Sequence, residues 1–250
     1  MNTFEVKLPS KGLLYPIDSP LHKRKSIDIK YMTADHEEIL DNNALIKSGK
    51  FIDKLFEISI VDKDVLDNLE NMFPGDRSAI LFALRVTGFG PKYEVKLKCP
   101  QCGKTSNVTF DLNKLESIGY ASSDDIIDPV INTFSLTATD HIDYKILNNK
   151  EENMIDEQAE RLEKLTGKSS ATKLRLKELI LSVNDNEDKA KISEYVETMP
   201  IGTIRKLKKH YNEMAPNIAI NKHFKCDNVN CDYEDIIVTP SFDASFFWPE

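Results

Sequence analysis

Four cysteines are the residues of this chain best suited to chemistry, and they fall into two close pairs, Cys99-x2-Cys102 and Cys226-x4-Cys231. None is left over. Zinc prefers four thiolates in a tetrahedron at about 2.3 Å, and a short loop lets both sulfurs of one pair reach a single ion without strain. Pro100 and Gly103 suit the first loop. Pro rigidifies the turn, and Gly permits the positive φ that points backbone amides at the sulfurs. The second loop is longer by two residues. Its Asp227, Asn228 and Asn230 are good turn formers, so it stays within the ligand spacing of structural sites.

Other chemistries fit these cysteines less well. A redox Cys-x-x-Cys opens a helix after a strand, whereas GKTSNVTF following Cys102 is itself strand-like. Disulfides are disfavoured in a chain that reads as cytosolic. Free buried cysteines are the plain alternative, and the pairing of all four favours metal over it. Four thiolates fill the shell of a zinc ion and leave no open position for catalysis, so the expected cofactor is a structural Zn2+ on Cys99, Cys102, Cys226 and Cys231. His223 reads as a strand residue, not a fifth ligand. No P-loop, dinucleotide glycine fingerprint, nucleophile elbow or His-Glu-x-x-His occurs, and histidines 22, 36, 141, 210 and 223 are scattered singly. Asp124/Asp125 and Glu151/Glu152 are sequence neighbours, as in solvated loops and helix starts. A non-enzymatic protein is expected.

Such a site needs strands to present it. Around the first pair, YEVKLKCPQCGKTSNVTF alternates apolar and polar residues on both sides, the pattern of a hairpin whose turn is the knuckle; HFKCDNVNCDYEDIIVT repeats it. Between them SLTATDHIDYKIL predicts a strand pair, and helical patterns run over about 151–166, 171–183, 186–198 and 201–214. Ahead of the first knuckle, Pro9, Gly12, Pro16 and Pro20 break an extended segment into an arm of short strands and turns. Asp35 and Glu38 fit a helix-starting capping box, and FIDKLFEISI has the period of an amphipathic core helix. RSAILFALRVTGFG is apolar nearly all round, which predicts a central buried helix capped by Asp76 and ended by Gly88 or Gly90.

With 250 residues, 40% hydrophobic and 30% charged, the chain is ordinary for a globular protein. No apolar run approaches the roughly 20 residues of a membrane helix, and MNTFEVKLPSKG lacks the apolar stretch of a secretion signal. Lys and Arg number 33 against 41 Asp and Glu, so the net charge of −8 repels a nucleic-acid backbone. The basic clusters Arg205, Lys206, Lys208, Lys209, His210 and Lys92, Lys96, Lys98, Lys104 read as solvated faces. Phe242, Phe246, Phe247 and Trp248 crowd the last residues, where chain ends are ordinarily polar, so this tail is expected to dock, either on its own ribbon or into a partner.

The segments LPSKGLLYP, MTADHEEIL, GKFIDKLFE, GDRSAILFALRVTGFGPKYE running into CPQCG, and terminal FFWP together resemble the baseplate protein family of T-even-type contractile-tailed phages. That resemblance covers most of the chain in order. It implies an assembly function at the central hub of the tail baseplate, with other hub proteins as partners and no catalytic residue. The host cytoplasm, and the virion tail where the protein is retained, are the expected locations.

The expected architecture is therefore α+β and mostly helical, with a four-cysteine zinc ribbon formed by two distant hairpin knuckles. Residues 1–92 would form the arm and helical region, 93–139 the first ribbon half, 140–222 a helical insertion, and 223–250 the second ribbon half with its tail. Leu13, Leu14 and Tyr15 of the arm and Phe246, Phe247 and Trp248 of the tail are the candidate partner contacts. The rival reading is a nucleic-acid-binding zinc-ribbon regulator.

Overall fold

The computed structural model describes residues 2–119, 131–137, 139–219, 222–237 and 244–247. Strands β1 (Thr3–Lys7) and β2 (Ser26–Lys30) open the chain as an antiparallel pair registered from Thr3↔Lys30 to Lys7↔Ser26. Alternation along them buries Val6, Ile27 and Ile29. The arm between them turns tightly: Gly12 has φ +73, and a Cβ there would lie 2.2 Å from the Arg24 backbone nitrogen, so only glycine fits.

Short helices α1 (Ala34–Leu40), α2 (Asn43–Lys47), α3 (Phe51–Ser59) and α4 (Lys63–Leu66) follow. The capping box expected at Asp35 and Glu38 sits instead at Thr33 and His36. The Thr33 backbone N–H donates to His36 Nδ1 at 3.0 Å, and His36 Nε2 lies 2.9 Å from Ser59 Oγ. A buried imidazole thus takes the place of the glutamate because it also joins α1 to α3. Helix α3 buries Phe51, Leu55, Phe56 and Ser59, the face its periodicity predicts.

Helix α5 (Pro74–Phe89) runs through the core with every side chain from Ala79 to Arg85 buried. Phe73 is its N-cap and Pro74 occupies the first turn, where a missing N–H costs nothing. Asp76 is not the cap that the sequence suggests. Its fully buried carboxylate accepts hydrogen bonds from the Ser10 backbone N–H at 2.9 Å, Ser10 Oγ at 2.6 Å and Tyr15 Oη at 2.7 Å. Tyr15 Oη in turn accepts the Phe73 N–H at 3.1 Å. The arm is thereby fastened to the first turn of α5. Burial raises the Asp76 pKa more than these hydrogen bonds lower it. At Gly75 a Cβ would meet Pro216 O at 1.9 Å, so the helix start can press against the later chain only without a side chain.

After α5 come β3 (Lys92–Lys98), β4 (Thr105–Asp111), β5 (Glu116–Ile118), β6 (Asn132–Ser135) and β7 (His141–Tyr144). Helices α6 (Asn149–Thr166) and α7 (Ala171–Leu179), strand β8 (Ile180–Val183), and helices α8 (Lys189–Thr198) and α9 (Ile201–Met214) complete the middle of the chain. It ends in β9 (Asn217–Ala219), β10 (Lys222–Lys225), β11 (Glu234–Ile237) and a 3-10 turn at Ala244–Phe247. Among the described residues the strands form the antiparallel pairs β1–β2, β3–β4, β5–β9 and β10–β11 and the three-stranded sheet β6–β7–β8. The architecture is a mixed α+β one in which small sheets recur along the whole chain.

The helix expected over 171–183 stops at Leu179. Ile180–Val183 instead pairs with β7, which buries Ile180 and Ser182 at the sheet, and this ladder outweighs the local helical period. The tail docks on its own chain. Phe246 is fully buried, edge-on to Phe82 at 5.3 Å and to Tyr93 at 5.1 Å between ring centroids. Arg85, 2% exposed, donates from Nε to Phe246 O at 2.9 Å, and its guanidinium lies over the Phe89 ring at 4.8 Å.

Replacing Asp76 by Ala leaves three donors without their acceptor and is expected to cost roughly 2–4 kcal/mol in chemical denaturation. The raised folded-state pKa means the protonated carboxyl stabilises the fold, a contribution present at acid pH and lost as pH rises through that pKa. The stability gap between wild type and Asp76→Ala should accordingly be widest at the acid end and narrow as pH climbs. Phe246→Ala should cost about 3–5 kcal/mol by the same assay, as for other large-to-small changes in a packed core.

Candidate metal centre

The two cysteine pairs lie in the turns of separate hairpins. Strands β3 and β4 pair from Lys92↔Asp111 to Lys98↔Thr105, which leaves Cys99–Lys104 as the connecting turn. Within it the Cys99 N–H donates to Lys104 O at 2.8 Å and the Gly103 N–H to Cys99 O at 2.9 Å. Gly103 has φ +74, as the sequence predicts. In the second hairpin, β10 and β11 pair from Lys222↔Ile237 to Lys225↔Glu234. Its turn is closed by the Cys226 N–H on Tyr233 O at 3.0 Å and the Cys231 N–H on Asn228 O at 2.9 Å. The wider x4 spacing is absorbed by this extra turn, and the Asn228 N–H points at Cys226 Sγ at 3.5 Å.

The sulfurs meet across the hairpins. Cys102 Sγ lies 3.5 Å from Cys226 Sγ, Cys99 Sγ lies 3.8 Å from Cys231 Sγ, and all four are within 4.8 Å of one another. A disulfide would need about 2.05 Å, so these are four free thiols. A regular tetrahedron with metal–sulfur bonds of about 2.3 Å has edges of about 3.8 Å. The donor set and its spacing therefore fit a thiolate metal site. Cys99 and Cys226 are buried, Cys231 is half-buried, and Cys102 is exposed. Two polar contacts hold the knuckles together beside the sulfurs: Gln101 Nε2 to Asp232 Oδ1 at 2.9 Å and Lys104 Nζ to Asp227 O at 3.0 Å.

The thiols are electrostatically unequal. The Lys104 backbone amide, helped by Asn228, lowers the Cys102 pKa to about 6. At Cys231 the Tyr233 amide favours the thiolate, but desolvation and the neighbouring sulfurs outweigh it and push the pKa up to about 12. Cys226 is raised against its Asn228 amide in the same way. Without a cation the first thiolate suppresses the others; a divalent ion would displace their protons and equalise them.

The remaining candidates fall elsewhere. Tyr15, Phe246 and Phe247 lie in this chain's own core, and Leu13 and Leu14 are half-buried. Trp248, Phe242 and the pair Asp124/Asp125 lie outside the described residues. Glu151 has a structural task, accepting the Asn148 N–H at 2.9 Å in the capping box that starts α6. Sequence reasoning missed Asp76 and Arg85 as fastening residues. For Arg85 the available signal was a charged side chain inside a run apolar on all faces, which requires a buried partner; Asp76, just ahead of that run, carried none. No helix among the described residues is long and apolar enough to cross a membrane.

Comparison with protein families matches residues 1–248 to a family described as T4 bacteriophage base plate protein. Comparisons with curated proteins and with solved structures give no match. Because the family match spans nearly the whole sequence, arm, knuckles and tail included, the chain belongs to the T4 bacteriophage base plate protein family.

Proposed function

We propose that this chain is a non-enzymatic assembly factor or minor component of the central hub of the phage tail baseplate, held in shape by one structural Zn2+. The family match over residues 1–248 carries the assembly reading. The metal reading is supported by four sulfurs at near-tetrahedral spacing, contributed by turns far apart in sequence. Four thiolates saturate zinc and leave it no catalytic position, so the ion would act as a staple between the hairpins, converting them into one ribbon. Partners would be other hub proteins, met in the host cytoplasm and carried into the virion tail. With the Phe246 and Phe247 rings inside, the arm is the candidate contact that keeps an accessible apolar side chain near it, since Ile17 is 81% exposed. A net charge of −8 opposes the alternative of a nucleic-acid-binding regulator.

Freshly purified protein should carry one zinc per chain, with X-ray absorption reporting four sulfurs at about 2.3 Å. Cys226→Ser should lose the metal and melt well below wild type, since a structural zinc contributes on the order of 10 kcal/mol at neutral pH. Zinc retention should fall as pH drops, because protons compete for each thiolate. Elemental analysis finding no metal would overturn the staple. Co-expression with the phage's hub proteins should give co-purification that Ile17→Asp, at an exposed side chain, weakens while the melting temperature is kept. Tight, steeply salt-dependent binding to DNA, with no hub protein retained, would transfer the assignment to the regulator.

A further inference from the structure

The outer face of the β6–β7–β8 sheet carries a second set of ligating side chains, unrelated to the cysteines. Along β7 the residues Ile142 and Tyr144 are buried, so His141 and Asp143 project together from the opposite face. Beyond β8 the chain reverses in a two-residue turn closed by paired hydrogen bonds between Val183 and Asn186. Asn184 and Asp185 at its centre have φ +50 and +62, and this bend swings the Asp185 carboxylate back over β7. Asp185 Oδ1 then lies 3.2 Å from His141 Nε2. One ligand atom from each of His141, Asp143 and Asp185 lies within 4.8 Å of the others.

Supporting contacts hold the His141 backbone and the Asp143 carboxylate in place. The His141 N–H donates to Asn184 Oδ1 at 2.8 Å, and the Asn184 N–H returns to His141 O at 3.0 Å. Asp143 Oδ1 accepts from Thr133 Oγ1 at 2.6 Å, and Asp143 Oδ2 accepts from Ser182 Oγ at 2.8 Å. Each hydroxyl gives one hydrogen, so each carboxylate oxygen keeps a further lone pair for another partner. Carboxylates that bind metals are commonly held in orientation by such hydrogen bonds.

We propose that His141, Asp143 and Asp185 form a surface site for a divalent first-row transition cation, bound through one imidazole nitrogen and two carboxylates. Two carboxylates balance the charge of the ion, and one nitrogen with two oxygens suits Mn2+, Co2+ or Zn2+ better than the all-oxygen preference of Ca2+ or Mg2+. With bonds of about 2.1 Å, neighbouring ligand atoms lie about 3.0 Å apart in an octahedron and about 3.4 Å in a tetrahedron. The 3.2 Å between His141 and Asp185 falls between these. Asp185, 88% exposed at its side chain, is free to complete the approach, and water fills the remaining positions. The bound ion would clip the β8 turn onto β7.

Full-length protein carrying one equivalent of Zn2+ per chain for its cysteines, and cleared of any excess, would be titrated with Mn2+, and free Mn2+ read by electron paramagnetic resonance. Mn2+ has little affinity for thiolates, so the cysteine site stays silent. One saturable Mn2+ per chain is expected, weakened at least tenfold by Asp143→Asn and roughly tenfold by Ser182→Ala, which removes only hydroxyl support. Circular dichroism and melting would confirm that the variants fold, with His141→Gln in place of any that does not. Absence of saturable binding in wild type, or binding unchanged by Asp143→Asn and His141→Gln, would overturn the site and leave His141–Asp185 as a surface ion pair only.

Discussion

Four thiols packed within 4.8 Å of one another impose the constraint on which the rest of the structure depends. As neutral thiols they make ordinary contacts of little energy. As thiolates, two neighbours about 3.8 Å apart repel by about 4 kcal/mol each at the effective dielectric of a protein surface, and only a cation in their centre reverses the sign. The contacts beside them, Gln101–Asp232 and Lys104–Asp227, are solvent-exposed and too weak to hold two hairpins in register. Rigidity at this joint is therefore decided by the charge state of the sulfurs.

Consequences of that joint reach the core along short paths. Tyr93 lies at the base of β3, opposite Phe110, and its ring packs on Phe246. Phe246 in turn meets Phe82 of α5 and gives its carbonyl to Arg85. The C-terminal segment is thus held twice, by its hairpin turn against the first knuckle and by its final turn against α5. At the other end of the same helix, Asp76 grips Ser10 and Tyr15 of the arm. Helix α5 is consequently the common seat of both chain ends, and its unbroken burial from Ala79 to Arg85 follows from being covered on every side.

Much of this was legible in the sequence. Paired cysteine spacing, the alternation flanking it and the all-round apolar helix each have one dominant physical interpretation, and the structure places them accordingly. What stayed hidden depends on contacts across long sequence distances. Nothing near Asp76 reveals that Ser10 will reach it, so a helix-start aspartate is naturally mistaken for a cap. His36 gave no sign of replacing a glutamate because its second partner, Ser59, sits on another helix. The end of α7 was misplaced because Ile180–Val183 suits helix and strand alike, and only the presence of β7 decides between them. The tail aromatics were ambiguous for a related reason, since burial in a core and burial in an interface call for the same side chains.

Strands β5 and β9 pair from Glu116↔Ala219 to Ile118↔Asn217, so the polypeptide leaves the body of the protein and returns to it at one place. The described part of the intervening stretch meets that body again at the start of α6, where the Asn149 N–H donates to Met72 O at 2.9 Å. One proteolytic nick between α6 and α9 would therefore yield two fragments that stay associated, joined at the β5–β9 pair, and again where the knuckles meet.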